Sequence, residues 1–175
     1  MKLPRKTAGK ASPKTRINSG SRTRPRRQYA ALPVRFDAQG RVQVMLLTSR
    51  GTRRWIIPKG WPMPRISPAA AAAREAYEEA GLEGVIDSET PIGSFCYSKG
   101  LDRGRKADVE VEVFLLIVSR QLDSWPEQAE RGTRWCDPEE AAALVDEPGL
   151  ADLLRRAGNV RAPGSIRPQE PQSWP

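Results

Sequence analysis

The sequence predicts a mixed α/β sandwich between two polar tails, and three observations carry that prediction. A helix with signals at both ends stands near the middle of the chain, at about Pro68 to Ala80. Apolar runs of strand character stand before and after it. A second helix-start pattern follows at Asp137, and beyond Gly158 proline, glycine and polar residues take over.

Taken in order, Gln28 to Phe36 reads as a first strand, Asp37-Ala38-Gln39-Gly40 as a turn, and Val42 to Ser49 as its hairpin partner. Trp55-Ile56-Ile57 is a short apolar strand, and Pro58-Lys59-Gly60 a turn whose glycine lets backbone and ligand approach closely. In the central helix Ser67 is the N-cap, Pro68 suits the first helical position, and Gly81 can take the left-handed conformation that ends it. Gly93 to Ser98 and Val109 to Ser119 are further strands, the second turning continuously apolar from Phe114 to Val118 as a strand entering a core does. The basic, glycine-containing link Lys99 to Lys106 reads as a mobile loop. Arg134-Trp135-Cys136 is a short strand, and Asp137-Pro138-Glu139-Glu140 opens a helix with Ala141, Leu144 and Val145 on its apolar face. Pro148 is expected to stop that helix, and Leu150 to Ala157 to add a short one.

Charge divides the chain into body and tails. Residues 1–27 hold ten Lys or Arg and no Asp or Glu, leaving 19 basic and 21 acidic side chains in the remaining 148 residues. The overall charge of +8 therefore belongs to the N-terminal segment. Its prolines and glycines and its few apolar residues point to a disordered tail that solubilises the protein or binds a polyanion such as RNA. An Arg-rich, acid-free N-terminus also suits a mitochondrial transit peptide, although Pro4, Pro13 and Pro25 spoil the helix such signals use. No apolar run reaches membrane-spanning length, so no membrane partner is expected and the cytoplasm is the expected location. Residues 158–175 read as a loose C-terminal tail.

Chemistry is bounded by what is missing. The chain has no histidine, which rules out a Ser-His-Asp triad, a Cys-His pair and a His-ligated zinc. Cys96 and Cys136 read as small buried thiols in strands. Carboxylates, lysines and arginines are left to do any chemistry. At about 100° per residue, Glu75, Glu78 and Glu79 fall within about 100° of arc on the central helix, opposite Ala69, Ala73, Ala76, Tyr77 and Ala80. A row of glutamates is often just a solvated helix face. Carboxylates at these spacings repel one another, however, and a hard cation such as Mg²⁺, with Mn²⁺ as a substitute, would neutralise them.

The context favours the cation. Gly60, Arg74, Glu75, Ala76, Glu78, Glu79, Gly81 and Leu82 fill eight of nine defined positions of the pattern G, five residues, E, seven residues, R-E-apolar-x-E-E-x-G-apolar. This resembles the Nudix box, and the likeness extends over about residues 28 to 157. The ninth position departs, with Ile66 where the box has glutamate. The resemblance implies an α/β/α sandwich around a mixed sheet, a metal held by Glu75, Glu78, Glu79 and the Gly60 carbonyl, and Arg74 orienting a carboxylate. It also implies one further carboxylate from outside the helix as base, for which Glu127 and Glu130 are favoured over Glu110 and Glu112.

Within the family, Thr48-Ser49-Arg50, Arg54 to Gly60, Trp125, Arg131 and Arg134-Trp135 look like the branch of diphosphoinositol polyphosphate and dinucleoside polyphosphate phosphohydrolases. That likeness implies a phosphate-rich small-molecule substrate bracketed by Arg27, Arg50 and Arg131, with Lys59 beside the metal glycine. Arginine suits this because its planar fork bonds two phosphate oxygens at once. Trp55 and Trp135 read as core aromatics, and Trp61 as lining the pocket mouth. The expected reaction is Mg²⁺-dependent hydrolysis of a phosphoanhydride. Two rivals stand beside it: an RNA 5′-pyrophosphohydrolase using the basic tail, and a non-catalytic nucleotide sensor, against which Glu78 and Glu79 argue.

Overall fold

The computed structural model describes residues 25–100 and 106–162. The chain runs β1 (Arg26–Phe36), β2 (Val42–Thr48), β3 (Trp55–Ile56), β4 (Lys59–Gly60), α1 (Pro68–Ala80), β5 (Leu82–Ile86), β6 (Gly93–Gly100), β7 (Lys106–Gln121), β8 (Thr133–Cys136), α2 (Pro138–Leu144) and α3 (Pro148–Ala157). All eight strands join one mixed sheet, with the path β3-β2-β1-β7-β5 and β4, β6 and β8 attached to β1, β7 and β2.

Strand alternation sorts the core into two layers. Ala30, Leu32 and Val34 of β1, Val44 and Leu46 of β2, and Val109 to Leu115 at every second position of β7 face α2 and α3. Ala31, Met45, Leu47, Phe114 and Leu116 face the other way, onto Ala69, Ala72, Ala76 and Ala80 of α1. Alanines on that stripe let the helix lie close to the sheet, so its neighbouring glutamates are drawn toward the strands as well.

The centre of the sheet is a fork. β1 pairs with β7 in parallel from Arg26↔Val109 to Val34↔Ile117. On its other edge β1 meets β2 at Val34–Phe36 and β4 at Tyr29 and Ala30, while β2 turns aside to β3 and β8. Pro33, with no N–H to give, sits in the stretch between these two pairings, where a proline costs no ladder bond. Lys59 and Gly60 are thereby wedged against β1 as a two-residue strand, not a free turn, beside Glu75 and Glu79 in the second half of α1.

The caps of α1 are as the sequence reads. Ser67 Oγ accepts from Ala70 N at 3.2 Å, and Gly81 is left-handed at φ 66°. Other elements differ from expectation. β5 follows Gly81 directly and is absent from the sequence reading; with Leu82 buried and Val85 71 % exposed at the sheet edge, it lacks the alternation that marks a strand. Pro148 opens α3 instead of merely stopping α2, because a proline at N1 forfeits no helical bond. Leu144 and Val145 are half-buried, and Ala141 and Ala142 carry the packing of α2. On α1, Tyr77 is exposed and Glu79 buried, the reverse of the expected faces, since the packed stripe centres on Ala72 and Ala76 and Glu79 flanks it. Cys136 is buried, but Cys96 alternates outward from Phe95 and is exposed. β6 runs on to Gly100 and β7 begins at Lys106, so both ends of the expected loop are strand, and its residues 101–105 lie outside the described residues, as do 1–24 and 163–175 of the expected tails 1–27 and 158–175; Arg26 and Arg27 of the first tail belong to β1. No helix among the described residues is long and apolar enough to cross a membrane.

Candidate active site

Where the fork opens, α1, β4, β6, the turn after β2 and the loop before β8 enclose a cleft of about 680 Å³. Glu79 is its most buried acid, 5 % exposed. Its Oε1 is ion-paired with Arg131 Nη2, and its Oε2 accepts from the Lys59 N–H at 3.1 Å. Burial pushes its carboxyl up to about 7, opposed by Arg131 and the Lys59 N–H and reinforced by the charge of Glu75. Glu75 presses against Gly60 so closely that a Cβ there would lie 1.7 Å from its Oε1. Burial, then the charges of Glu78 and Glu127, raise the Glu75 carboxyl as well. Glu78 faces outward and accepts from Arg74 Nε at 2.7 Å.

The loop before β8 is fastened to the end of α1. Glu127 N donates to Glu78 O at 3.0 Å, Leu122 N to Gly81 O at 2.8 Å, and the Trp125 ring lies over Gly81. Arg131 then ties the loop to the sheet, its Nε donating to Glu127 Oε2 at 2.7 Å and its Nη1 to Thr48 O at 3.2 Å. Arg50 Nη1 adds a bond to Glu130 Oε2 at 3.2 Å and stands 3.5 Å from Glu127 Oε1.

The opposite wall is cationic and aromatic. Lys59 Nζ stands 5.3 Å from the Tyr97 ring centre, and Trp61 carries Lys99 Nζ at 4.9 Å and the Arg26 guanidinium at 4.6 Å. Tyr97 Oη donates to Gln28 Oε1 at 2.8 Å. Burial lowers the Lys59 pKa, with Glu79 pulling the other way.

Of the residues singled out in the sequence, Glu75, Glu78, Glu79, Gly60, Lys59, Trp61, Arg50, Glu127 and Arg131 line this cleft. Arg74 stands behind Glu78, and Glu130 sits outside, held by Arg50. Arg27 turns away to Glu112 and Glu110 of β7, at 3.1 and 3.6 Å, and does not line the cleft. Arg131 is 9 % exposed and engaged with two carboxylates, which differs from a side chain open to substrate. Tyr97, Lys99 and Gln28 line the cleft without having been named as site residues, and so does Arg54, named only within the branch pattern. Tyr97 and Lys99 were within reach: they follow Phe95 at period two, so continuing its alternation along β6 leads to both.

A model of the NUDIX domain matches residues 26–157. The chain belongs to the Nudix family. This Nudix hydrolase is 31 % identical over 136 residues to Nudix hydrolase 13, mitochondrial, of Arabidopsis thaliana, covering 72 % of this chain and 64 % of that protein. It is 28 % identical over 157 residues to diphosphoinositol polyphosphate phosphohydrolase 3-alpha of Mus musculus, covering 86 % of this chain and 90 % of the mouse protein. Its fold is similar to that of an Ap4A hydrolase from C. elegans solved as a binary complex, with a TM-score of 0.57 and 23 % identity over 74 % of this chain and 93 % of that one.

The divalent cation that the resemblance implies can be judged against the donors present. They are all oxygen: three carboxylates of α1, Glu127 and the Gly60 carbonyl, a set suited to a hard cation. The raised Glu75 and Glu79 carboxyls mark negative charge held together by burial, which a divalent cation relieves. Among the described residues no three such side chains converge on one point, because Glu78 and Glu79 are turned to Arg74 and Arg131. The donor chemistry fits, and binding requires those two carboxylates to exchange their arginines for the cation.

Proposed function

We propose that this Nudix hydrolase cleaves a phosphoanhydride in a polyphosphorylated small molecule, of the dinucleoside polyphosphate or diphosphoinositol polyphosphate type, using Mg²⁺ or Mn²⁺. The observation that supports this most is the single cleft in which the α1 glutamates face Lys59 and Lys99 while Arg50 borders the carboxylates. The mouse and nematode proteins are named for those two substrate classes.

Glu75, Glu78, Glu79 and the Gly60 carbonyl would hold the cation. When bound, it neutralises phosphate oxygens and lowers the pKa of a water. Glu127 is the favoured base: it lines the cleft from outside the helix, and Arg131 and Arg50 fix its carboxylate. Arg74 steadies Glu78 from the solvent side. Lys59 and Arg50 stand where substrate phosphates would pass, and Trp61 walls the mouth.

Phosphate release from dinucleoside polyphosphates, inositol pyrophosphates and triphosphorylated RNA, with Mg²⁺ and with chelator, tests the reading. Chelator-sensitive release from a small polyphosphate supports it, and no release from any small substrate refutes it. The RNA reading has one observation in its favour: the strongly basic N-terminal segment joins the fold at β1, where Arg26 lies on the cleft residue Trp61. A clear preference for the RNA over every small polyphosphate would put that reading first.

A further inference from the structure

Among the described residues only two arginines are not exposed, Arg131 and Arg35. Arg131, in the cleft, meets two carboxylates. Arg35, at the far end of β1, meets none among the described residues: its Nε donates to Gln43 Oε1 at 2.8 Å, and its guanidinium lies 4.1 Å from the centre of the Trp135 ring. It borders a hollow of about 320 Å³ that shares no residue with the cleft. We propose that this hollow is a second ligand site, for a small molecule that carries one anionic group on a flat or apolar body.

The hollow exists because α1 is shorter than the sheet beneath it. Alternation from Ala31 puts Arg35 on the α1 side, and Val118 and Trp135 pack against that layer, but α1 ends at Ala80 and leaves this end of the sheet uncovered. Gln121 braces the boundary, its Nε2 donating to Ala80 O at 3.2 Å and its Oε1 accepting from Trp135 Nε1 at 3.4 Å. Burial holds the Arg35 pKa below its ordinary value with no acid opposing it. A cation drawn out of water without a counter-charge is costly, and a neutral amide and a ring offset only part of that. They also leave it ready to bind: the amide takes Nε and the ring takes the flat face, so both terminal nitrogens keep their N–H donors for the paired oxygens of a phosphate or carboxylate. Arg120 stands at the same hollow, but its Nε is already given to Glu83 Oε2 at 2.7 Å, so Arg35 is the uncompensated charge. Phe36, Val118 and Trp135 supply an apolar lining that a bare ion would leave untouched and that the body of a ligand would cover. Both an aryl phosphate ester and an aromatic carboxylate present that chemistry. The site stands independently of the hydrolase reading.

NMR titration of the full chain without Mg²⁺ tests it, with phenyl phosphate and benzoate as probes at constant ionic strength and the Trp135 indole N–H, assigned through W135F, as the reporter. Both the shift of that signal and its saturation are expected with at least one probe. R35Q should weaken the better probe by about ten-fold or more, as for a lost bidentate charge-assisted contact. R41Q, the same charge change at the same end of the sheet on an arginine already paired with Asp37, should weaken it by less than about two-fold. Should R35Q not fold, R35K, which keeps the charge and loses the fork, should still weaken it by about three-fold. Tighter binding of phenyl phosphate assigns the site to phosphate esters, and tighter binding of benzoate to carboxylates. An unmoved Trp135 signal, equal losses in R35Q and R41Q, or uncharged phenol moving the signal as readily as the anions would overturn the site. Inorganic phosphate binding as tightly as phenyl phosphate would overturn it too, since the apolar lining would then contribute nothing.

Discussion

The two walls of the cleft handle charge in opposite ways. On the wall built by α1 and the loop before β8, Glu78, Glu79 and Glu127 each have an arginine, and the pair of Glu79 with Arg131 is buried. On the wall built by β4, β6 and Trp61, cations rest on rings without counter-ions among the described residues. The difference separates two tasks. The arginines compensate the carboxylates one by one while turning Glu78 and Glu79 apart, so under the proposed reading a cation would have to take their place. Cations meant to meet a polyanion are better left uncompensated, since each existing ion pair would have to be broken first.

The largest way to break this contrast is Arg131→Met. It leaves Glu79 buried with only the Lys59 N–H and frees the loop at Glu127, and a loss of about 3 to 5 kcal/mol is expected for removing one partner of a buried pair. Urea unfolding of the variant would show this as a lower midpoint, and an unchanged midpoint would mean that the pair carries nothing. Arg74→Ala, on the same wall but exposed, should leave the midpoint where it is.

Glu78→Gln should come next. It should lower kcat on the order of 10²-fold or more with the fold intact, as for other positioned catalytic groups, because Glu78, the outward one of the proposed ligands, has Arg74 as its side-chain partner. Steady-state rates with circular dichroism as the control decide it.

Acid should separate the walls more gently. Glu79, raised to about 7, must ionise to hold a cation, so the apparent Mg²⁺ affinity should weaken as pH falls through about 7, and Glu79→Gln should abolish that dependence. Without metal the linkage has the opposite sense. A carboxyl raised on folding contributes stability that is complete below its ordinary value of 4.5 and is lost as pH rises through about 7. Mg²⁺ titrations and thermal unfolding on either side of neutrality check the two halves separately.

The smallest effect is expected from Ile66→Glu. Ile66 is 42 % exposed in the turn before α1, so stability should move by no more than about 0.5 kcal/mol. Mg²⁺ affinity measured by calorimetry should be equal or stronger, and a clear drop would show that this position matters through something other than charge.

What the sequence made legible follows the range of the interactions concerned. Ser67, Pro68 and Gly81 act within a few residues of themselves, so α1 could be placed at both ends, and the spacing from Gly60 to Leu82 sufficed to nominate the glutamates. Arg131 could be nominated but not understood. Its partners Thr48 and Glu79 lie far off in sequence, and nothing local says that its guanidinium will be buried between them instead of facing substrate. The same holds for Arg27, which finds Glu110 and Glu112 only through the parallel pairing of β1 with β7. β5 escaped because an edge strand half open to solvent needs no alternation. Tyr77 and Glu79 changed places because a 100° arc leaves the centre of the packed stripe free to shift by one residue.

The fastening of the loop to Gly81 has a consequence for how this chain can be lengthened. Position 81 is closed to other residues twice, by its left-handed backbone and by the Trp125 ring, whose atoms would lie from 2.6 Å to a Cβ there. Leu122 and Glu127 are pinned to Gly81 and Glu78 on either side of that ring, so the five peptide units between them measure out a fixed span along the helix end. An insertion there would carry Glu127 out of register with α1, even though it touched no residue of the cleft. The turn Asp37–Gly40, closed on itself by the Asp37 carboxylate and away from the cleft lining, has no such ruler, and extra length added there leaves the two walls facing each other as before.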